Sequence, residues 1–384
     1  MSIKVPPPKK IPLTGVTKQV KVRSSNLELY RIICMLMIVA HHYVVNSGLT
    51  IRGGGPLLSD ISIENGFFLT LFGAWGKTGI NCFMMITGYF MCTSKISLRK
   101  FVKLIGQIYF YRWLIYLIFL ILGYESVTPL KVFKLILPFW NITDGFISCF
   151  IAFWLTIPFW TILVQNMTKK QHQLLLLFVI GVYTILGSIP TFDLLFNYVT
   201  WFGIIFLIAS YLRLYPHEIF NRKNLWGWLT LLCLMLAVLS IVVMHWKFGF
   251  KGIAFSYLFV SDSNKIFAVA VAITSFLWFK NMDIKYSKVI NAVGGATFGV
   301  LLIHANSDVM RIWLWKDTID VIGHSALPLG KLMFFSIGVV LTIFIMCNII
   351  DQLRINTLER LFFSWYDKKI SATADAIVSR ITSE

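Results

Sequence analysis

A few polar residues stand in segments that are otherwise apolar, and their types and spacing suggest chemistry. In "NLELYRIICMLMIVAHHY" (26–43), Glu28 and Arg31 occupy one end of a helix-length run and His41 and His42 the other. An ionised group inside a membrane helix costs about 2.5–3.5 kcal/mol on insertion scales, so each needs a compensating role. Arg31 lies within snorkelling reach of one surface, with Glu28 three residues earlier on the same face as its partner. His41 comes ten residues later, about 15 Å along the helix axis, where that surface is out of reach. A buried imidazole is either a structural hydrogen-bonding group or a proton acceptor at neutral pH. Adjacent helical residues point about 100° apart, so His41 and His42 cannot both face one reacting atom. The spacing favours His41 as the base and leaves His42 to pack or hydrogen-bond within the bundle.

Lys77, in "GAWGKTGINCFMMITGYFM", falls near the middle of the second apolar run and is expected to face the bundle or a cavity. Arg112, in "QIYFYRWLIYL", sits in the inner half of the third, after Arg99, Lys100 and Lys103 at its boundary. His304, in "GGATFGVLLIHANSD", lies with Asn306 at the outer end of a late run. There Gly295 and Gly299 allow close helix packing. Arginine and lysine thus populate the inner half and His41 and His304 the outer half. Guanidinium forks suit phosphate and imidazole suits deprotonation of a hydroxyl, which fits an inner polyanionic donor and an outer nucleophile.

The elements that must position these residues follow from composition. The chain of 384 residues is 57% hydrophobic and 14% charged, with a mean hydropathy of +0.75. A soluble chain carries roughly a quarter charged residues. Runs close to the ~20 residues that cross a hydrocarbon core recur throughout, too continuous for the alternation of an outer-membrane barrel. The fold expected is all-α: a polytopic bundle of ten membrane helices near 26–46, 66–92, 104–123, 147–165, 173–190, 195–214, 225–245, 264–280, 288–307 and 330–350. A short apolar stretch at 128–139 is either an interfacial or re-entrant piece or an additional span. No internal repeat is present.

The net charge of +18 invites a nucleic-acid reading, but its distribution is topological. With the N-terminus inside, Lys and Arg fall on inner connections more than twice as often as on outer ones, which puts both termini in the cytoplasm. Three regions are expected: a disordered basic cytoplasmic tail over 1–25, a membrane domain over 26–351 and a cytoplasmic tail over 352–384. The six cysteines stand singly in apolar surroundings and read as small hydrophobes, with no metal-ligand spacing. Outer connections at 246–263 and 308–329 are long, polar and aromatic, either surface decoration or an outer substrate site.

The first run resembles the opening helix of the acyltransferase 3 family, integral-membrane O-acyltransferases, with Glu28, Arg31 and His41 at the matching positions. "GKTGINCFMMITGYFM", with Lys77, resembles the second span of the Gram-positive-like branch of that family. "TFGVLLIHANS" resembles the late segment that ends at a histidine, and "IDQLR" the end of the last span. The sequence departs from the pattern in Glu28 for the commoner Asp, in Thr87 for Ser and in the extra His42.

The resemblance implies a multi-pass plasma-membrane enzyme, an O-acetyltransferase with no permanently bound cofactor. It implies acyl-CoA, commonly acetyl-CoA, as donor, and a glycan or lipid-linked saccharide as acceptor. On this reading Arg31, Arg112 and the Arg99, Lys100 and Lys103 cluster hold the CoA phosphates. His41 is the base, Lys77 or Asn306 meets the oxyanion, and His304 completes the site. Direct transfer and an acyl-imidazole relay would use the same residues. Membrane lipid surrounds the chain, nucleic acid is no partner, and the oligomeric state is open between monomer and homodimer. A flippase or polymerase of lipid-linked oligosaccharides and a secondary transporter are the alternatives, neither of which consumes a thioester.

Overall fold

The computed structural model describes residues 24–49, 61–94, 97–137, 139–142, 145–192, 194–248 and 257–370. All regular structure among them is helical. The tail expected to be disordered lies outside the described residues up to position 23, as does everything beyond 370.

Helix α1 (Ser25–Val45) is the axis of the molecule. It packs against α2 (Ile63–Gly73), α3 (Gly76–Met91), α11 (Lys288–Gly295) and α15 (Leu329–Arg354). A helix with neighbours on all sides needs no polar face, and α1 is the most buried of the membrane-length helices. Between these elements come α4 (Leu98–Ile121), α5 (Pro129–Ile136), α6 (Phe146–Asn166), α7 (Lys169–Val179), α8 (Tyr198–Leu214), α9 (Lys223–Phe248) and α10 (Ile266–Lys280). The chain closes with α12 (Thr297–His304), α13 (Asp308–Ile312), α14 (Val321–His324) and, beyond α15, α16 (Arg360–Lys369).

Each of the ten apolar runs is helical, but not all are straight spans. Among the described residues six helices are long and apolar enough to cross a membrane, or seven if the bent pair Lys288–His304 and Asp308–Thr318 is one. Helices α8 and α10 are apolar but shorter, with 17 and 15 residues. The second run breaks at Ala74 and Trp75, so Lys77 sits in the first turn of α3 and not in mid-helix. The break has a steric cause: a Cβ at Gly76 would collide with the His41 ring and one at Gly73 with Val44, so glycine is what lets this corner close on α1.

The ambiguous stretch at 128–139 forms α5, with Pro129 at its start and the Thr128 side chain accepting from the Lys131 N–H at 3.3 Å. Its eight residues cover only about 12 Å, too short to span. Helix α15 does not end near 351. It runs on through a π turn (Ile355–Glu359) into α16, so the tail expected from 352 begins as helix. At that junction Asp351, fully buried, accepts from Tyr111 Oη at 2.8 Å and Arg354 Nε at 2.7 Å. Gly299 of α12 lies flush on the Asp351 carboxyl, a close approach that any Cβ would prevent. None of the six cysteines forms a disulfide; five are buried and Cys233 is half-buried.

Candidate functional site

Arg31, Met35 and Ile38 of α1 line a cavity of about 200 Å³. Ile80, Met84 and Thr87 of α3 form its second wall and Gly294, Thr297, Phe298 and Leu301 of α11 and α12 its third. Phe146 and Phe150 of α6 and Leu104 of α4 complete it. At 100° per residue, the eleven steps from Arg31 to His42 make three turns plus about 20°, so His42 continues the Arg31–Met35–Ile38 stripe. The ten steps to His41 leave it about 80° off that line. His41 instead turns to the α2–α3 corner, where its Nδ1 lies 2.6 Å from the Gly73 carbonyl and its ring rests on Gly76. The sequence expectation of His41 above Arg31 used the rise of the helix and not its rotation.

The stripe on α12 converges on the same point. Thr297, Leu301 and His304 follow one another at helical spacing, and His304 Nε2 lies 2.9 Å from His42 Nδ1. His304 Nδ1 lies 2.6 Å from the Val300 carbonyl oxygen. A carbonyl only accepts, so His304 carries its proton on Nδ1 and accepts on Nε2 from His42 Nδ1–H. That order leaves the lone pair of the His42–His304 pair on His42 Nε2.

Beyond the pair the chain bends by 95°, which carries α13 and the following π turn (Trp313–Thr318) past the end of α12. Trp315, fully buried, meets Tyr43 edge-on at 5.9 Å and His304 at 6.5 Å between ring centroids. Asn46 follows His42 by one turn, its backbone N–H donating to the His42 carbonyl at 3.0 Å. Among the described residues Asn46 Nδ2, Arg311 Nε and Trp315 Nε1 are buried donors with no hydrogen-bond partner. Arg311 is otherwise paired with Asp308 at 3.0 Å. None of these three was singled out from the sequence. The only signal for Arg311 and Trp315 was the polar, aromatic character of the 308–329 connection, and Asn46 had none.

The remaining expected site residues are dispersed. Arg31 Nη1 donates to Glu28 Oε1 at 2.9 Å, and of the five basic residues expected at phosphate Arg31 alone lines the cavity. Arg112 points instead at the end of α5, donating to the Leu135 and Leu137 carbonyls at 3.4 and 3.2 Å. Arg99 makes a two-pronged pair with Asp367 at 2.8 and 3.0 Å, and Lys103 pairs with Glu359, so this face of α4 is covered by α16 and the turn before it. Lys100 stands exposed in the first turn of α4, its backbone N–H capped by Ser97. One phosphate site built from all five is therefore not what the fold assembles. Lys77 Nζ donates to Tyr198 Oη at 2.6 Å and lies 3.5 Å from Asp262, on the His41 side of α1. Asn306 Nδ2 donates to the Leu302 carbonyl at 2.9 Å and caps α12.

Along α1 a cation, an apolar cavity wall and an imidazole pair thus follow one another. Neither the curated proteins nor the solved structures yield a significant match to this chain. The acyltransferase 3 family model, described as an acyltransferase domain, matches residues 24–350, so the chain belongs to that family and is a membrane acyltransferase.

Proposed function

We propose that the protein moves an acyl group, acetyl above all, from cytoplasmic acyl-CoA to a hydroxyl of a cell-surface or lipid-linked glycan at the plasma membrane. The observation that carries this reading is the stripe of Arg31, Met35 and Ile38, which lines one cavity and leads on along α1 to the His42–His304 pair. In this scheme the ten apolar runs all cross the membrane, and both termini are cytoplasmic. Arg31, held by Glu28, meets the CoA phosphates, since charge-assisted bonds from a guanidinium suit them. The pantetheine arm lies along the apolar passage, whose length from Arg31 to His42 is about 16 Å.

The base in this scheme is His42, with His304 fixing its tautomer, and not His41. His42 Nε2 takes the proton of the sugar hydroxyl as its oxygen attacks the thioester carbonyl. The carbon–sulfur bond then breaks, and the CoA sulfur leaves as a thiol after taking that proton back from the imidazolium. The buried donors of Asn46, Arg311 and Trp315 face the side from which the acceptor comes and hydrogen-bond its oxygens. Lys77, Tyr198 and Asp262 flank that approach beside His41. Purified protein in lipid nanodiscs, given radiolabelled acetyl-CoA and glycan acceptors, tests the reading. Wild type should release CoA and label a glycan; no consumption of acetyl-CoA with any acceptor or with water would overturn it.

A further inference from the structure

The cavity ends just short of the imidazole pair, and the three residues that close it share one level. Ile38 lies one turn before His42 on α1, and Leu301 three residues before His304 on α12. Ile80 is the cavity-lining residue of α3 nearest that end. All three are aliphatic and come from three different helices. We infer that Ile38, Ile80 and Leu301 form a ring that sets the length of the acyl group, admitting two- and three-carbon groups and refusing longer unbranched chains. This inference rests on the proposed donor, acyl-CoA held with its phosphates at Arg31.

With the donor so oriented, the acyl group is the leading end of the arm, and its carbonyl carbon must stop within reach of His42 Nε2. Atoms beyond that carbon have two ways to go. Ahead, His42 and His304 are bonded to each other at 2.9 Å and close the passage. To the side, a Cβ at Gly79 would already stand 3.0 Å from Ile38 Cγ1 and 3.0 Å from the Cys34 carbonyl oxygen, so α1 and α3 leave no lateral room at this level. Val300 and Ile303, on other faces of α12, are buried in the core. Phe83, Phe146, Phe150 and Phe298 supply the aromatic wall of the cavity. One excess methylene against such a wall is worth about 10- to 200-fold in discrimination.

The test needs no glycan. Full-length protein in nanodiscs is titrated with CoA, acetyl-CoA, propionyl-CoA, butyryl-CoA and hexanoyl-CoA. Wild type should bind butyryl- and hexanoyl-CoA at least about tenfold more weakly than acetyl-CoA. Leu301→Ala and Ile80→Ala should bring butyryl-CoA to within about twofold of acetyl-CoA, with free CoA as the reference that carries no acyl group. Leu301→Val, which removes one carbon and preserves packing better, should give a partial effect in the same direction. Equal binding of all acyl chains by wild type, or an equal change for every donor in the variants, would overturn the ring and leave the donor reading standing. Failure to bind CoA or any acyl-CoA would overturn the donor reading itself.

Discussion

His42 and His304 hold each other through one proton, and the Val300 carbonyl fixes which nitrogen carries the next. His42→Ala removes the open lone pair, so acyl transfer should fall by about 10²–10⁴-fold while CoA binding persists. His41→Ala should cost far less in turnover, since its Nδ1 is spent on Gly73 and its ring on Gly76. Initial rates of thioester consumption decide between them; a dead His41→Ala beside an active His42→Ala would reverse the assignment. Arg31→Ala should weaken CoA binding by about 1.5–3 kcal/mol, the worth of a charge-assisted bond, and Arg112→Ala should not, because Arg112 is engaged with α5. Calorimetric titration of CoA into both variants checks this. The sequence displayed every one of these residues. It gave the rise from Arg31 to the histidines, but choosing between adjacent histidines needed their rotation about the axis. The bond from His42 to His304 joins positions 262 apart in the chain and leaves no local trace.

Among the helices, the contact of α12 with α15 is the one that seats His304. Gly299 rests on the Asp351 carboxyl, which Tyr111 of α4 and Arg354 also bind. Gly299→Ala should therefore destabilise the protein by about 1–3 kcal/mol through overpacking. Gly338→Ala, in α15 where an added Cβ meets nothing within 4 Å, should stabilise by about 0.4–1 kcal/mol. Thermal unfolding in one detergent measures both, and equal signs would refute the contact. The spacing of Gly295 and Gly299 announced close packing, but not the carboxylate on the other side. Likewise the run from Arg99 to Lys103 looked like a phosphate cluster because its acidic partners, Asp367 and Glu359, come more than 250 residues later. Charge that is neutralised from far along the chain is indistinguishable, in sequence, from charge held ready for a ligand.

For the molecule as a whole, hydropathy made the membrane class plain, and all ten apolar runs are helices. What it missed were the interruptions, because breaks such as that at Ala74 and Trp75 come from tertiary contacts of small residues and not from any loss of apolarity. Orientation is testable on the described surface. Asp317 follows the 95° bend and Lys368 ends the long C-terminal helix, and both are exposed. On a background without native cysteines, Asp317→Cys should react with an impermeant maleimide in intact cells, and Lys368→Cys only after permeabilisation. Labelling of Lys368→Cys in intact cells would invert the topology.

The short helices have a consequence for the lipid around them. At 1.5 Å per residue α8 and α10 reach only about 25 and 22 Å, against a hydrocarbon thickness of ~30 Å. Both pack on α3 with their middle residues buried, so lipid meets the deficit at their ends, on one flank of the bundle. A bilayer meets such a flank by thinning, at a cost of fractions of a kcal/mol per Å. On the proposed reading, thinning there would shorten the distance between a donor on one side and an acceptor on the other. Turnover in nanodiscs of 14-carbon lipids should then exceed that in nanodiscs of 22-carbon lipids at equal head-group composition, and a rate indifferent to chain length would show that the protein, not the bilayer, absorbs the mismatch.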